Sequence, residues 1–383
     1  MNHWLPQALG WMPFTLALVL PLHPRASTWL LLAWLPLWLV AGWKGHWRRE
    51  AWTATSTAMV ALYALMALGV LWSSSQDEAL FALEVKAALF ILPLLRLTWG
   101  QPRRNWQHGW MLGLSAIIFL RVAASLVGWP ESGWRYAEWT GPFHPTYLAM
   151  YWGWGICLAR GDRSRWLVPL FAAAIGLSAS KAGWMGGGLA LLSLLPKGRS
   201  MWGAVLLGGL ALLATATWAD QGRLGEFVAH APQVSESNEV QAVAPQTGST
   251  GGRMQAWSVA WELWAEHPIL GVGTGDYGDA AQPLYEAKGM QYAAENHMNA
   301  HNAYFQIAVT LGILGLSVMM WWWSAATWAA WRSRSWGLAA CMLLLAFNAL
   351  FESVLELQQG IVAAVFLSSM AGERHQVPKE THS

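Results

Sequence analysis

Residues 301–330 read HNAYFQIAVTLGILGLSVMMWWWSAATWAA and contain no Asp, Glu, Lys or Arg. A helix of about 20 apolar residues crosses the hydrocarbon core of a bilayer, so this run predicts a transmembrane helix with length to spare. Working outward, further apolar segments occur at roughly 7–21, 28–43, 51–72, 79–97, 106–128, 143–159, 166–179, 183–196, 201–219, 336–352 and 359–371. Several are shorter than the ~20 residues of an unaided crossing, and the pair around Ser178–Gly183 reads as two helices meeting at a buried bend. The runs are solid rather than alternating, which argues against a transmembrane β-barrel. The expectation is an all-α polytopic membrane protein with about 12 transmembrane helices.

Composition agrees. The 383 residues are 55% hydrophobic and 11% charged, against about 25% charged in a soluble domain. A net charge of +2 without a basic run gives no reason to expect a nucleic-acid partner. Many of the 30 tryptophans fall near predicted helix ends, where indole rings sit well at headgroup level. Cys157 and Cys341 lie in apolar segments and predict packing, not a disulfide. The N-terminus has neither a basic region nor a small-residue cleavage site, so no cleaved signal peptide is expected.

The basic residues set an orientation. Lys44, Arg48, Arg49, Arg96, Arg103, Arg104, Arg160, Arg163, Arg165, Lys197, Arg199, Arg332, Arg334, Arg374 and Lys379 fall in alternate loops and in the C-terminal tail. Positive charge collects on the cytoplasmic side, which places those loops and both termini there. The remaining Lys and Arg lie within spans or on the far side, where a positive charge opposes that rule and points to function. Of these, Arg25 and Lys288 read as ordinary loop charges, and Lys86 as a partner of Glu84 or a snorkelling lysine. Arg121, inside AIIFLRVAASLV, needs an anionic partner or an aqueous cavity.

Residues 219–300 form the one long far-side segment. Its first part, AHAPQVSESNEVQAVAPQTGSTGG, is aperiodic and rich in Pro, Gly and Ser, and reads as a linker. Ser249 or Thr250 then caps a helix whose Trp257, Trp261 and Trp264 form one stripe, as in a helix lying on a bilayer surface. Arg253 falls in its first turn, where free N–H groups and the helix dipole favour an anion and the guanidinium fork suits phosphate. The helix is expected to stop near His267-Pro268. In GVGTGDY, residues 271–277, no strand precedes the glycines, so a dinucleotide fingerprint is rejected and a tight turn with exposed N–H groups is expected. His297 and His301 stand four apart, on one face if helical, with Glu295 and Asp276 nearby. A zinc site is therefore open on spacing, without a clear third ligand. His301-Asn302 at the start of a span reads more readily as a general base with a polar neighbour; a structural histidine is the plain alternative.

The pattern Arg253-x3-Trp257, His267-Pro268-Ile-Leu-Gly-Val-Gly, His301-Asn302-x-Tyr304 and Leu311-Gly312-Ile-Leu-Gly315 resembles the O-antigen ligase/polymerase superfamily. GPFHPTYLA, with Gly141, His144 and Pro145, is similar to another segment of that family. LSASKAG is similar to its Ser-Arg-Gly segment, with Lys181 where Arg is usual. FESVLELQQG, with Glu352 and Glu356, is similar to the end of its ligase-like members. The resemblance implies a GT-C-like glycosyltransferase whose donor is a glycan on undecaprenyl diphosphate and whose acceptor is lipid A–core or another glycan. It implies Arg253 and Lys181 on the diphosphate and His301 at the acceptor hydroxyl. Arg121, His144, Asn302 and Tyr304 are further candidates for substrate binding. It implies no cofactor and no essential metal, in keeping with the lack of an Asp-x-Asp motif.

The leading expectation is an O-antigen ligase in the bacterial inner membrane with a periplasmic active site. A polysaccharide polymerase or a protein O-oligosaccharyltransferase shares the chemistry. A transporter or flippase is the reading from another class, and would show repeated halves with broken helices. The expected organisation is transmembrane helices over 1–218, a periplasmic loop of short helices over 219–300, transmembrane helices over 301–371 and a cytoplasmic tail over 372–383. Reporter fusions test the orientation: those at Gly198 and Ser333 are expected to read cytoplasmic and one at Gln241 periplasmic. A cytoplasmic signal at Gln241 would overturn the far-side placement.

Overall fold

A computed structural model describes residues 4–99, 106–129, 131–161, 163–195, 199–219 and 249–371, and every regular element among them is helical. The chain runs α1 (Trp4–Leu9), α2 (Met12–Val19), α3 (Ala26–Trp43), α4 (Ala54–Gly69), α5 (Gln76–Lys86), α6 (Ala88–Arg96), α7 (Trp106–Leu126), α8 (Tyr136–Thr140) and α9 (Pro145–Leu158). It continues through α10 (Leu167–Leu177), α11 (Lys181–Leu192), α12 (Arg199–Ala219), α13 (Ser249–Glu266), α14 (Tyr277–Ala287), α15 (Gln291–Glu295), α16 (Ala303–Arg332), α17 (Trp336–Asn348) and α18 (Gln358–Met370). All of the predicted linker before residue 249, the tail from 372, and Arg103, Arg104, Lys197, Gly198, Arg223, Gln241, Arg374 and Lys379 lie outside the described residues.

Each predicted span holds at least one helix, but several are broken. The segment 7–21 is two helices, α1 and α2, and 79–97 is another pair, α5 and α6. The bend expected near Ser178–Gly183 lies between α10 and α11, with Ser178 and Ser180 buried and Ala179 at φ 47°. Among the described residues five helical segments are long and apolar enough to cross a membrane: Ala26–Trp43, Ala54–Trp72, Trp106–Leu126, Met201–Ala219 and Ala303–Arg332.

Two of the shorter helices, α9 and α18, lie inside. Every residue of α9 is buried, and every residue of α18 after its first. Trp152, Trp154 and Phe366 from these two helices have no exposed side-chain surface. Around them the outer helices α3 and α12 expose Trp29, Leu39, Trp43, Leu206, Leu213 and Trp218, an apolar perimeter that suits lipid contact.

The long helix α16 is broken at Gly312, whose φ of 63° and ψ of −161° interrupt the ladder. The interruption is filled by the segment His267–Gly273. Ile313 N donates to Pro268 O at 2.8 Å, Val272 N to Val309 O at 2.8 Å and Gly273 N to Thr310 O at 3.1 Å. The N–H groups of Val272 and Gly273 are thus used on α16, and that of Gly271 on His267 O at 3.1 Å, so the GVG turn does not expose them as the sequence suggested. A Cβ on Gly271 would lie 2.5 Å from Leu311 N, and one on Gly312 would collide with Ile269 O. The next residues lock onto the bundle too. Thr274 Oγ1 donates to Met66 O at 2.7 Å. Asp276 accepts from Ser74 N at 2.7 Å, Ser75 N at 2.9 Å and Ser73 Oγ at 2.6 Å, satisfying free N–H groups at the start of α5.

Gly312→Ala puts a Cβ in a left-handed conformation and against backbone. It is expected to destabilise the protein by about 2–4 kcal/mol, seen as a lowered unfolding midpoint in detergent. An unchanged midpoint would show that the wedge is not held by close backbone contact.

Candidate active site

Between α17 and α18 the chain turns through LFESVLEL, residues 350–357. Three contacts hold this turn. Asn302 N donates to Ser353 Oγ at 3.2 Å, Asn302 Nδ2 to Leu350 O at 3.1 Å, and Tyr147 OH to Ser353 O at 3.1 Å. The turn places Glu352 in the interior, 3% exposed.

Both carboxylate oxygens of Glu352 are occupied. Oε1 accepts from Arg253 Nη2 at 2.8 Å and from Thr146 Oγ1 at 3.3 Å. Oε2 lies 3.3 Å from His301 Nδ1. Thr146 Oγ1 is also 2.9 Å from Ser180 Oγ. Besides Arg253 on α13, the N-terminal ends of three helices gather around this carboxylate. Pro145 opens α9 directly after His144, Ser180 caps α11 by accepting from Gly183 N, and Asn302 caps α16 by accepting from Tyr304 N and Phe305 N. Such ends carry unpaired N–H groups and a positive dipole, so they favour an anion between them.

Burial alone would raise the pKa of Glu352. The hydrogen bond to His301 and the positive charge of Arg253, with smaller contributions from His144 and His301, outweigh it and bring the pKa below the usual carboxylate value. The ionised carboxylate is therefore the form this site is built to hold. Two buried nitrogens here have no partner among the described residues, His144 Nδ1 and Arg253 Nε. They leave hydrogen-bonding capacity beside the carboxylate for a bound group.

The fold brings together Arg253, His301 and His144, which the sequence singled out. Lys181, half-buried, stands next to Ser180 at the start of α11. Arg253 is the fifth residue of α13, past the first turn expected for it. That helix packs its Ala256, Val259, Ala260 and Leu263 face inward, while Trp261 from the tryptophan stripe is 56% exposed. Arg121 stands apart from the Glu352 contacts. Its Nε donates to Trp139 O at 3.0 Å and its Nη2 to Glu138 O, so backbone carbonyls replace the expected anion. Asn302 is spent on capping and on Leu350 O, and Tyr304 OH donates to Ala346 O at 2.9 Å.

His297 and His301 do not share a helix face. Both sit outside helices, at φ 44° and 42°, and among the described residues no group of three His, Cys, Asp or Glu gathers as a metal site. Lys86 pairs with Glu356 at 2.8 Å, not with Glu84. Glu352 is the residue the sequence reading left out of the site. Its signal was present, an acid between apolar segments, but nothing local shows that Arg253 and His301 would meet on it.

Comparison with known proteins bears on residues 166–320, which match the family model described as O-antigen ligase. No curated protein matched the chain. The matched segment includes Lys181, Arg253, His301 and the helix break at Gly312. Over this segment, less than half of its length, the chain is similar to the O-antigen ligase family.

Proposed function

We propose that this protein transfers a glycan from undecaprenyl diphosphate to an acceptor hydroxyl on the periplasmic face of the bacterial inner membrane, as an O-antigen ligase acting on lipid A–core. The family supports an enzyme acting on lipid-linked glycans in a membrane. The observation that carries the reading is the buried Glu352 carboxylate holding Arg253 on one oxygen and His301 on the other.

In this scheme the acceptor oxygen attacks the anomeric carbon of the donor sugar. The proton of that hydroxyl passes to His301 Nε2, and the bond from the anomeric carbon to the diphosphate oxygen breaks with its electron pair leaving on undecaprenyl diphosphate. A single displacement inverts the anomeric configuration. Glu352 keeps the proton on His301 Nδ1, which leaves the Nε2 lone pair for the hydroxyl, the same division of labour as in a carboxylate–histidine base. Arg253 retains donors beyond the one given to Glu352, and with Lys181 it neutralises the charge that develops on the leaving diphosphate. The scheme uses these cations in place of a metal.

Glu352→Gln tests it. The amide has nearly the same shape, but its nitrogen donates toward Nδ1 and disfavours the productive tautomer. Single-turnover transfer is expected to fall by about 10²–10⁴-fold, with lipid-linked donor binding changed much less. His301→Ala is expected to behave alike, whereas Arg253→Ala weakens donor binding as well and Arg253→Lys recovers only part of it. Wild-type turnover by folded Glu352→Gln would remove the carboxylate from the mechanism.

The same carboxylate sets a pH dependence. Because its pKa is depressed in the folded protein, its contribution to stability is complete above the unfolded carboxylate value of about 4.3 and is lost as pH falls through the folded value. The gap in unfolding midpoint between wild type and Glu352→Gln is expected to be full at pH 7 and to close below about pH 4. A gap that does not vary with pH would mean Glu352 is not ionised in the fold.

A further inference from the structure

We propose that a second cavity beside this site is a subsite for one neutral sugar ring, an inference that rests on the glycosyltransferase reading. The cavity, of about 210 Å³, lies among α5, the start of α14, the loop before His301 and α16. Its wall includes Asn299, two residues before His301, and Glu356, four residues after Glu352. It therefore adjoins the reacting groups through both loops that carry them.

The chemistry of the wall selects the ligand. Lys86 is the one Lys or Arg lining the cavity, and its ammonium is already 2.8 Å from Glu356. Glu78 adds a second carboxylate at the wall. A phosphate or other anion would find no spare positive charge from Lys or Arg there, so the diphosphate belongs on the Arg253 side. Two amide donors are available instead. Gln306, 5% exposed, spends its oxygen on Ala300 N at 3.1 Å. Asn299 spends its oxygen on His301 N at 2.8 Å and Ser353 Oγ at 3.3 Å. The amide nitrogens of both donate to no group among the described residues, and both residues line the cavity. Phe81, 60% exposed, supplies an apolar ring at the same wall. Planar amides and carboxylates against an aromatic face match a pyranose, whose hydroxyls each donate and accept and whose C–H face is apolar. An acyl or prenyl chain would offer those amide donors no partner. Because Asn299 also holds the backbone N–H of His301, a ring seated here is positioned by the same loop that presents the base.

The ring is either a sugar of the donor glycan or one of the acceptor, and kinetics separates the two. The full-length protein in lipid nanodiscs is assayed with lipid-linked donor and with lipid A–core acceptor, each varied in turn, for wild type, Gln306→Leu and Phe81→Ala. Loss of one hydrogen bond or one ring contact is expected to raise KM about 5–10-fold for one substrate only, with kcat within about twofold. The affected substrate identifies the source of the ring. In parallel, saturation-transfer NMR with the free oligosaccharides of donor and acceptor is expected to lose the signal of one of them in both variants. Gln306→Leu also removes the acceptor for Ala300 N–H, so if it fails to fold Phe81→Ala, at an exposed position, decides alone. A wild type that transfers glycan while Phe81→Ala keeps both KM values and both NMR signals overturns the subsite and leaves the transferase reading standing. A wild type that binds free oligosaccharide through Phe81 but transfers nothing overturns the transferase reading and keeps the subsite.

Discussion

A carboxylate buried to the extent of Glu352 must be ion-paired or give up its charge. Here its partners come from distant parts of the chain. Arg253 lies 99 residues earlier in sequence and His301 lies 51 residues earlier. The packing of α13 and the start of α16 against the turn at 350–357 brings these two to one anion. Removing Arg253 would leave an uncompensated charge in the interior, a cost of about 3–5 kcal/mol for a buried pair. The arrangement is therefore held by the same electrostatics that it would use on substrate.

That meeting depends on backbone geometry elsewhere. α13 carries Arg253, and the segment after it could leave the bundle in any direction. It is held because Pro268, Val272 and Gly273 use their backbone groups on α16, where the helix is interrupted at Gly312. A helix can be interrupted in an apolar setting when another segment takes up the freed groups. Close approach of backbone to backbone explains why both sides of this contact are glycine-rich. Asp276 completes the lock by taking the free N–H groups at the start of α5.

The turn at 350–357 carries two acids with separate cations. Glu352 takes Arg253, and Glu356 takes Lys86. The first pair leaves nitrogen donors beside it without partners, while the second closes on itself next to a cavity lined by amides. One short turn thus divides a region suited to an anion from a region suited to neutral hydroxyls.

The sequence by itself determined the helical membrane class, because long apolar runs without alternation have no other stable form in a bilayer. It also pointed to Arg253 and His301, since charged and titratable residues at the edges of such runs are costly unless used. It did not determine that several apolar runs are broken helices, because the groups that tolerate each break belong to other segments. Nor did it separate Arg121, satisfied by carbonyls of Glu138 and Trp139, from Arg253, which meets an acid. Only the tertiary structure chose Glu352 as the common partner. Hydrophobic periodicity records which face of a helix is buried, but the identity of a buried ion's partner depends on which helix ends converge, and that is decided by packing between segments far apart in the chain.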